Sequence, residues 1–482
     1  MSPSRRPPAS TLSLRSFFGA RAAQGLGSRS DPSSRRFELG SFARRAISLS
    51  ALTALGQASF VIALPLLSRL YTPADFGVFT IYLSIVNIGG PIIGLKFESA
   101  MFAAESKHDA SIVLALSALT TVVMSSIAGV LLWAFMPHLV GMLSPAARWM
   151  LWCLPFGLFL AGLWSVSSAW AIKGEATLTL GAARFVQPVA MTALQLVGGF
   201  VLATDAAVLV GAHLLSHVVY SSFIFSRTLT REDLSQFSPA RWLLLLKHAY
   251  SHRGFPLFVL PAQISYLSVS NLPPLLLSLL YGPEIAGHCG VAYRLVAAPV
   301  SIASLAFGAI FTGVVSRNRD HEAVIPFARK VFLTNLLLVS LPILLFGALA
   351  PTLAPRILGS HWAITGQFVA AFALIGAAQS LSAPFVETTS IFRSQGLRLG
   401  IEFVPAALVV TSILLGGALE WHPINTVWLL TISSAVASTV GLALLSHRLP
   451  AMIRRAAQVP SADGVNPAEP CRYAERSDES AD

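Results

Sequence analysis

The sequence predicts an all-α integral membrane protein of about twelve transmembrane helices, arranged as two parallel six-helix repeats around a central cavity. Three observations carry that expectation. Of 482 residues, 54% are hydrophobic and 11% charged; soluble domains carry about 25% charged residues, and so few charges cannot cover a water-facing surface of this size. Apolar runs of about 20 residues, the length that crosses a bilayer, recur along the chain. One motif returns after 210 residues, the mark of an internal duplication.

In chain order the predicted spans are 46–67, 76–95, 111–136, 149–171, 182–203, 206–226, 256–280, 286–312, 331–353, 363–385, 399–419 and 424–446. Gly89-Gly90-Pro91, Pro273-Pro274, Pro299 and Pro342 interrupt several of them. A membrane helix tolerates such breaks where neighbouring helices or water satisfy the freed backbone groups. Of the 33 Lys and Arg residues, 29 fall on the side of the membrane that holds the N-terminus. Only Arg69, Arg148 and Arg356 fall on the other side, and Arg294 lies inside a span. This asymmetry predicts cytoplasmic N- and C-termini. It also accounts for the net charge of +11 without nucleic acid as a partner.

Residues 1–42 are rich in Arg, Ser and Pro; they resemble an organellar transit peptide in composition but read rather as a disordered basic cytoplasmic tail,. A six-helix bundle over 43–226, a cytoplasmic linker over 227–255, a second bundle over 256–446 and a disordered cytoplasmic tail over 447–482 complete the expected organisation. Within the linker, residues 239–250 are too short to cross a bilayer and read either as a basic helix in the membrane interface, with Trp242 at headgroup level, or as an extension of span seven.

The repeated motif is LLSxLYxPxxxG. Leu66, Leu67, Ser68, Leu70, Tyr71, Pro73 and Gly77 return as Leu276, Leu277, Ser278, Leu280, Tyr281, Pro283 and Gly287. Six spans separate the copies, so the halves are parallel and a pathway between them follows. Proline with Asp75 or Glu284 close behind suits the first turn of a helix, where the missing N–H costs nothing and a carboxylate meets the positive helix end.

Sequence signatures of catalysis are absent. There is no GxGxxG or Walker loop, HExxH or nucleophile elbow. Cys153, Cys289 and Cys471 form no metal or disulfide spacing,. His213 and His217 stand at i, i+4 with no third ligand in view, which favours polar packing over metal binding. No cofactor or metal is expected.

Ionisable residues within spans are expensive and informative. Arg294 lies eight residues into predicted span eight, about 12 Å deep at 1.5 Å per residue. Lys96 and Glu98 stand at the inner end of span two, and Glu387 and Glu402 near the inner ends of spans ten and eleven, where interfacial anchoring explains them. Asn87, Gln187, Gln195, Gln263, Asn271, Asn335 and Gln379 are polar groups within the spans, available to interhelical hydrogen bonds or to a cavity.

The stretch Leu64-Pro65-Leu66-Leu67-Ser68-Arg69-Leu70-Tyr71-Thr72-Pro73-Ala74-Asp75-Phe76-Gly77 resembles the opening signature of the bacterial oligosaccharide flippase, or polysaccharide biosynthesis, family. That family belongs to the multidrug/oligosaccharidyl-lipid/polysaccharide exporter superfamily. Lys96-Phe97-Glu98 is similar to a basic-aromatic-Glu element that follows, with Lys where Arg is usual. Gly287 to Arg294 with Pro299, and Gly359-Ser-His-Trp362 with Gly366, resemble its second-half signatures, so the likeness runs from about residue 43 to 446. The basic leading segment is longer than the family's usual short one.

The resemblance implies two six-helix bundles in a V. It implies transfer of an undecaprenyl-diphosphate-linked oligosaccharide, an O-antigen, capsule or exopolysaccharide unit, across the bacterial cytoplasmic membrane by alternating access. Implied partners are the lipid-linked substrate, membrane lipids, and the polysaccharide polymerase and chain-length machinery. Arg294, Lys96, Glu98 and Arg69 are the candidate substrate-binding residues, and Asn87, Gln263, Asn271 and Gln379 the candidate cavity lining. Two rivals stand beside this reading. A drug/cation antiporter of the same superfamily would carry intramembrane carboxylates, and a membrane glycosyltransferase or polymerase would carry a large outer loop with catalytic groups.

Overall fold

A computed structural model describes residues 32–142, 145–238, 242–317, 321–391 and 395–458. Among the described residues every regular element is helical. The spanning helices are α1 (Pro32–Leu70), α2 (Pro73–Gly94), α3 (Lys107–Ala134), α4 (Met150–Lys173), α5 (Thr177–Val201), α6 (Ala206–Thr228), α7 (Leu260–Tyr281), α8 (Pro283–Arg317), α9 (His321–Asn335 and Leu341–Ile357, joined through the π-turn Leu336–Ser340), α10 (Ala363–Val386), α11 (Gln395–Ala418) and α12 (Pro423–Gln458). Eleven of them are long and apolar enough to cross a membrane. The remaining one, α7, has 22 residues and a continuous apolar stretch over Asn271–Tyr281. This is a multi-pass membrane protein, and its surface agrees: Ile62, Leu178 and Leu202 are each more than three-quarters exposed, which suits hydrocarbon and not water.

Among the described residues, those from Leu49 onward form one compact unit, and those up to Ser48 belong to another. The expected tail over 1–42 needs correction where it is described, because helix begins at Pro32. Proline is at home in that first turn, and no further proline follows before Pro65. Residues 1–31 lie outside the described residues, as do 459–482 of the other tail. At the C-terminal end α12 continues past 446 to Gln458, because Leu449 packs with Phe311, Val324, Val331 and Phe385 in an apolar cluster.

The linker holds two short helices, Arg231–Ser235 and Trp242–Ser251. The second is separate from α7, with a turn at His252 and Arg253 between them, so it is not an extension of span seven. It buries Leu245 against Phe97, Ile112 and Leu116 and exposes Leu243, Leu246 and Tyr250. Residues 239–241 and the Trp242 side chain lie outside the description.

Two ends of the helix assembly can be told apart. At the far end the α1–α2 turn meets the α7–α8 turn, since Gly77 abuts Pro283 and Gly287 abuts Pro73. The α9–α10 turn joins them there: the Trp362 indole donates to the Ser68 carbonyl at 2.8 Å. At the near end Lys173 donates to the Ala104 carbonyl at 2.7 Å and Ser111 to Asp233 at 2.6 Å. Between the ends α2 is the hub. It packs against α4 in its own half and against α7 and α8 of the other, and it is the most buried span, at 61% against 22% for α9. Its start is fixed by a capping box: Thr72 N–H donates to the Asp75 carboxylate at 2.9 Å, and Asp75 N–H to the Thr72 hydroxyl at 3.2 Å. The local role expected for Pro73 and Asp75 is the role they have.

Candidate functional site

α8 starts at Pro283, three residues earlier than the hydropathy suggests. Arg294 is therefore deeper than expected, about 16 Å from the far end of its helix. Its guanidinium reaches out of the C-terminal half and between two rings of the N-terminal half, 5.3 Å from the Phe60 centroid and 5.1 Å from that of Phe79. Both rings are buried. Cation–π attraction of this kind is worth about 0.5–2 kcal/mol, most when desolvated. Among the described residues no carboxylate pairs with Arg294 and none of its five N–H groups is given a hydrogen bond in return.

Behind Phe79 the polar side chains of the N-terminal half form a connected cluster. The His213 ring meets Phe79 edge-on at 6.2 Å and lies 4.2 Å from the His217 ring. The Tyr82 hydroxyl stands 3.4 Å from His213 Nδ1, and Gln187 Nε2 3.5 Å from His217 Nδ1. No group of three or more metal-binding side chains occurs among the described residues. His213 is buried, and the two rings pack on each other.

The other candidates occupy separate places. Asn87 Nδ2 donates to Asn271 Oδ1 at 3.0 Å, a hydrogen bond between α2 and α7 and hence between the halves. Asn87 is exposed within its span. Lys96 and Glu98 close on each other at 3.0 Å at the near end of α2, where Leu95 and Lys96 take left-handed φ values of 47° and 58°. The two charges pair, while the other Glu98 oxygen, Oε2, is buried without a partner among the described residues. Arg69 is exposed in the last turn of α1 at the far end. Gln263 is half-buried on α7. Gln379 lines a small cavity of about 50 Å³ inside the C-terminal half, with Tyr293, Phe372 and Ser434. Asn335, at the π-turn of α9, donates to the Ser380 carbonyl at 2.8 Å, one of the two roles its position allowed.

Thus the structure joins Arg294 to Phe60 and Phe79, Asn87 to Asn271 and Lys96 to Glu98. It does not gather the four proposed binding residues into one constellation. The two rings were missed in the sequence, where only the cation stood out.

Several solved structures share this fold. A lipid II flippase, MurJ, in an inward closed conformation covers 84% of this chain and 86% of its own at 9% identity, with a TM-score of 0.61. A MOP-superfamily transporter from Pyrococcus furiosus, described by the reverse polarity of its binding pocket, gives 0.56 at 17% identity over 85% and 96% of the two chains. An inward-facing multidrug resistance MATE transporter of the same superfamily gives 0.54 at 16% identity over the same shares. The chain has the fold of the MOP-superfamily transporters. The family model for polysaccharide biosynthesis proteins matches residues 66–366, more than half of the sequence, and the chain belongs to that family. No curated protein matches it.

Proposed function

We propose that the protein is a flippase that moves a polyprenyl-diphosphate-linked oligosaccharide across the bacterial cytoplasmic membrane by alternating access. The observation that carries this reading is Arg294, an intramembrane cation where the two halves meet, bracketed by Phe60 and Phe79 and without an acidic partner among the described residues. A diphosphate accepts paired guanidinium hydrogen bonds, so it supplies what the protein leaves open. Family membership supports the sugar, and the lipid II flippase among the structural neighbours supports the lipid carrier.

The near end faces the cytoplasm in this reading, because 29 of 33 basic residues belong to that side,. The exposed Leu243, Leu246 and Tyr250, with Lys247 among them, suit a linker helix resting in the inner interface. The polymerase and chain-length machinery are the partners to which the delivered unit passes. A drug/cation antiporter shares the fold but binds its cation through membrane carboxylates. Here the one buried carboxylate among the described spanning segments and their ends is Glu98, at the near end and paired to Lys96.

The deciding experiment is a deletion strain. It should assemble the lipid-linked oligosaccharide normally and keep it on the inner leaflet. A shortened or unstarted sugar chain would make the protein an assembly enzyme and end this reading.

A further inference from the structure

Between the two halves, on the far side of Arg294, lies an apolar cleft of about 230 Å³. Val61 and Leu64 of α1 form one wall, and Leu295 of α8, Phe346 and Ala350 of α9 and Val369 of α10 the other. We propose that this cleft is the slot for the first isoprenoid units of the lipid whose diphosphate is held by Arg294, which rests on the reading of Arg294 given above.

Position is the first argument. Val61 and Leu295 directly follow Phe60 and Arg294, the ring and guanidinium that stand 5.3 Å apart. Consecutive Cα atoms are about 3.8 Å apart, so the cation and the slot are formed by the same turns of α1 and α8. Phe60 and Arg294 do not themselves line the cleft, so the chain of a group anchored at Arg294 enters it past Val61 and Leu295.

Chemistry is the second. The hydroxyl of Thr365 is the one side-chain polar group on the wall, and it is taken by His288 Nδ1 at 2.8 Å. The cleft therefore offers an occupant nothing but carbon. An engineered apolar cavity of about 150 Å³ stays dry and takes up benzene, so a larger one at the edge of a bilayer holds hydrocarbon. Its mouth is on the lipid side, where Val61, Ile62 and Phe346 are exposed by 37%, 78% and 40%.

The third argument is that the walls belong to different halves. Ordinary acyl chains fill any greasy furrow, but this one widens or narrows whenever the halves move. A tail seated in it lies along the far half of the membrane, from the level of Leu295 toward Leu358, while the headgroup is still at mid-depth. The chain thus leads the sugar across, and its occupancy is linked to the motion that releases the headgroup.

The test uses purified full-length protein in lipid nanodiscs, with inorganic diphosphate and farnesyl diphosphate as probes. Wild type should bind farnesyl diphosphate roughly tenfold or more tightly than inorganic diphosphate, since tenfold corresponds to about 1.4 kcal/mol and burial of two methylene groups supplies that. Val61→Trp fills the mouth and should abolish this preference without changing inorganic diphosphate binding, whereas Ile62→Trp, which faces lipid, should keep it. Labelling of wild type by a benzophenone-bearing farnesyl diphosphate should fall on peptides containing Val61 or Phe346, which requires no substitution. Equal preference in Val61→Trp and wild type, loss in Ile62→Trp as well, or labelling confined to other helices overturns the slot. Absence of any diphosphate binding by wild type overturns the Arg294 reading too, so the two failures are distinct.

Discussion

Gly77 and Gly287 occupy the same place in the two copies of the repeat, and each presses on the proline that opens the other's helix. A Cβ on Gly77 would collide with the Pro283 carbonyl, and one on Gly287 with the Pro73 carbonyl. Such reciprocity is what a two-fold axis between α2 and α8 produces, and both helices start at the same end, so the halves are parallel. Nearby Gly290 is close to the Thr80 side chain. Together these contacts let two helix backbones meet and seal the far end.

Gly77→Val puts two methyl groups and a Cβ into that contact. Overpacking costs about 1–3 kcal/mol where the structure cannot yield, and separating the halves at the far end removes the collision. Export should therefore be lost while the protein still reaches the membrane. In a background without native cysteines, Ser68→Cys, which replaces a residue 7% exposed, should resist an impermeant maleimide and become reactive when Gly77→Val is added. Unchanged labelling together with intact export would refute the seal.

Trp362 holds the same end by a different bond. Its indole N–H meets the Ser68 carbonyl at 2.8 Å, and its ring packs edge-on to Phe76 at 5.3 Å and to His288 at 5.6 Å. Trp362→Phe keeps the ring contacts and removes the donor, at about 0.5–1.5 kcal/mol; Trp362→Ala removes both, at about 3–5 kcal/mol. Melting temperature in detergent should fall in the order wild type, Phe, Ala. Equal losses in the two variants would mean that the hydrogen bond and not the packing dominates.

How far these features were legible differs from one to the next. The spans were, because apolar length is a local property, and so was the equivalence of Gly77 and Gly287 in the repeat; their meeting at the far end was not, because it depends on how the halves pack. Asp75 was legible as a first-turn carboxylate, but the capping box it closes with Thr72 was not read. Phe60 and Phe79 could not be picked from the many other aromatic side chains, because what distinguishes them is proximity to Arg294, more than 200 residues away. Lys96 and Glu98 were readable as charges but not as a closed pair, which depends on the left-handed turn at Leu95 and Lys96. The ends of α1 and α12 were misplaced because helix outlasts hydropathy wherever no breaker intervenes or a residue such as Leu449 finds packing beyond the apolar run.

The linker is tied to α3 by Asp233, which is 1% exposed. Burial pushes its carboxyl up, but hydrogen bonds from Ser111 and Thr230 and the charge of Lys107 outweigh burial and hold it below the usual carboxylate range. A carboxyl lowered by folding stabilises above its unfolded value, about 3.9, and that contribution disappears as pH falls through the folded value. The melting temperature of Asp233→Asn should thus lie below that of wild type by a constant amount from pH 8 to about pH 5, and the gap should begin to shrink below about pH 4. A gap independent of pH down to 3 would show that charge has no part in the anchor.

Arg294 decides between a structural and a functional cation. Even the lower estimates put a guanidinium at the membrane centre at about 2.5–3.5 kcal/mol, and two rings each returning about 0.5–2 kcal/mol offset much of that. Phe60 and Phe79 therefore suffice to hold the side chain in place, and they leave its N–H groups open because ring faces accept charge without occupying donors. In the proposed reading a headgroup phosphate would take up those donors in pairs; a lysine, with a compact ammonium, recovers the charge but not the paired geometry. Arg294→Ala should abolish surface polysaccharide with the protein present in the membrane at its normal level, and Arg294→Lys should fall between. Binding of inorganic diphosphate by the purified protein should weaken by roughly tenfold or more in the alanine variant, the scale of one charge-assisted hydrogen bond of about 1.5–3 kcal/mol. If instead protein abundance drops in step with export, or diphosphate binding is untouched, then the two rings are the only partners Arg294 has and the residue serves packing between the halves.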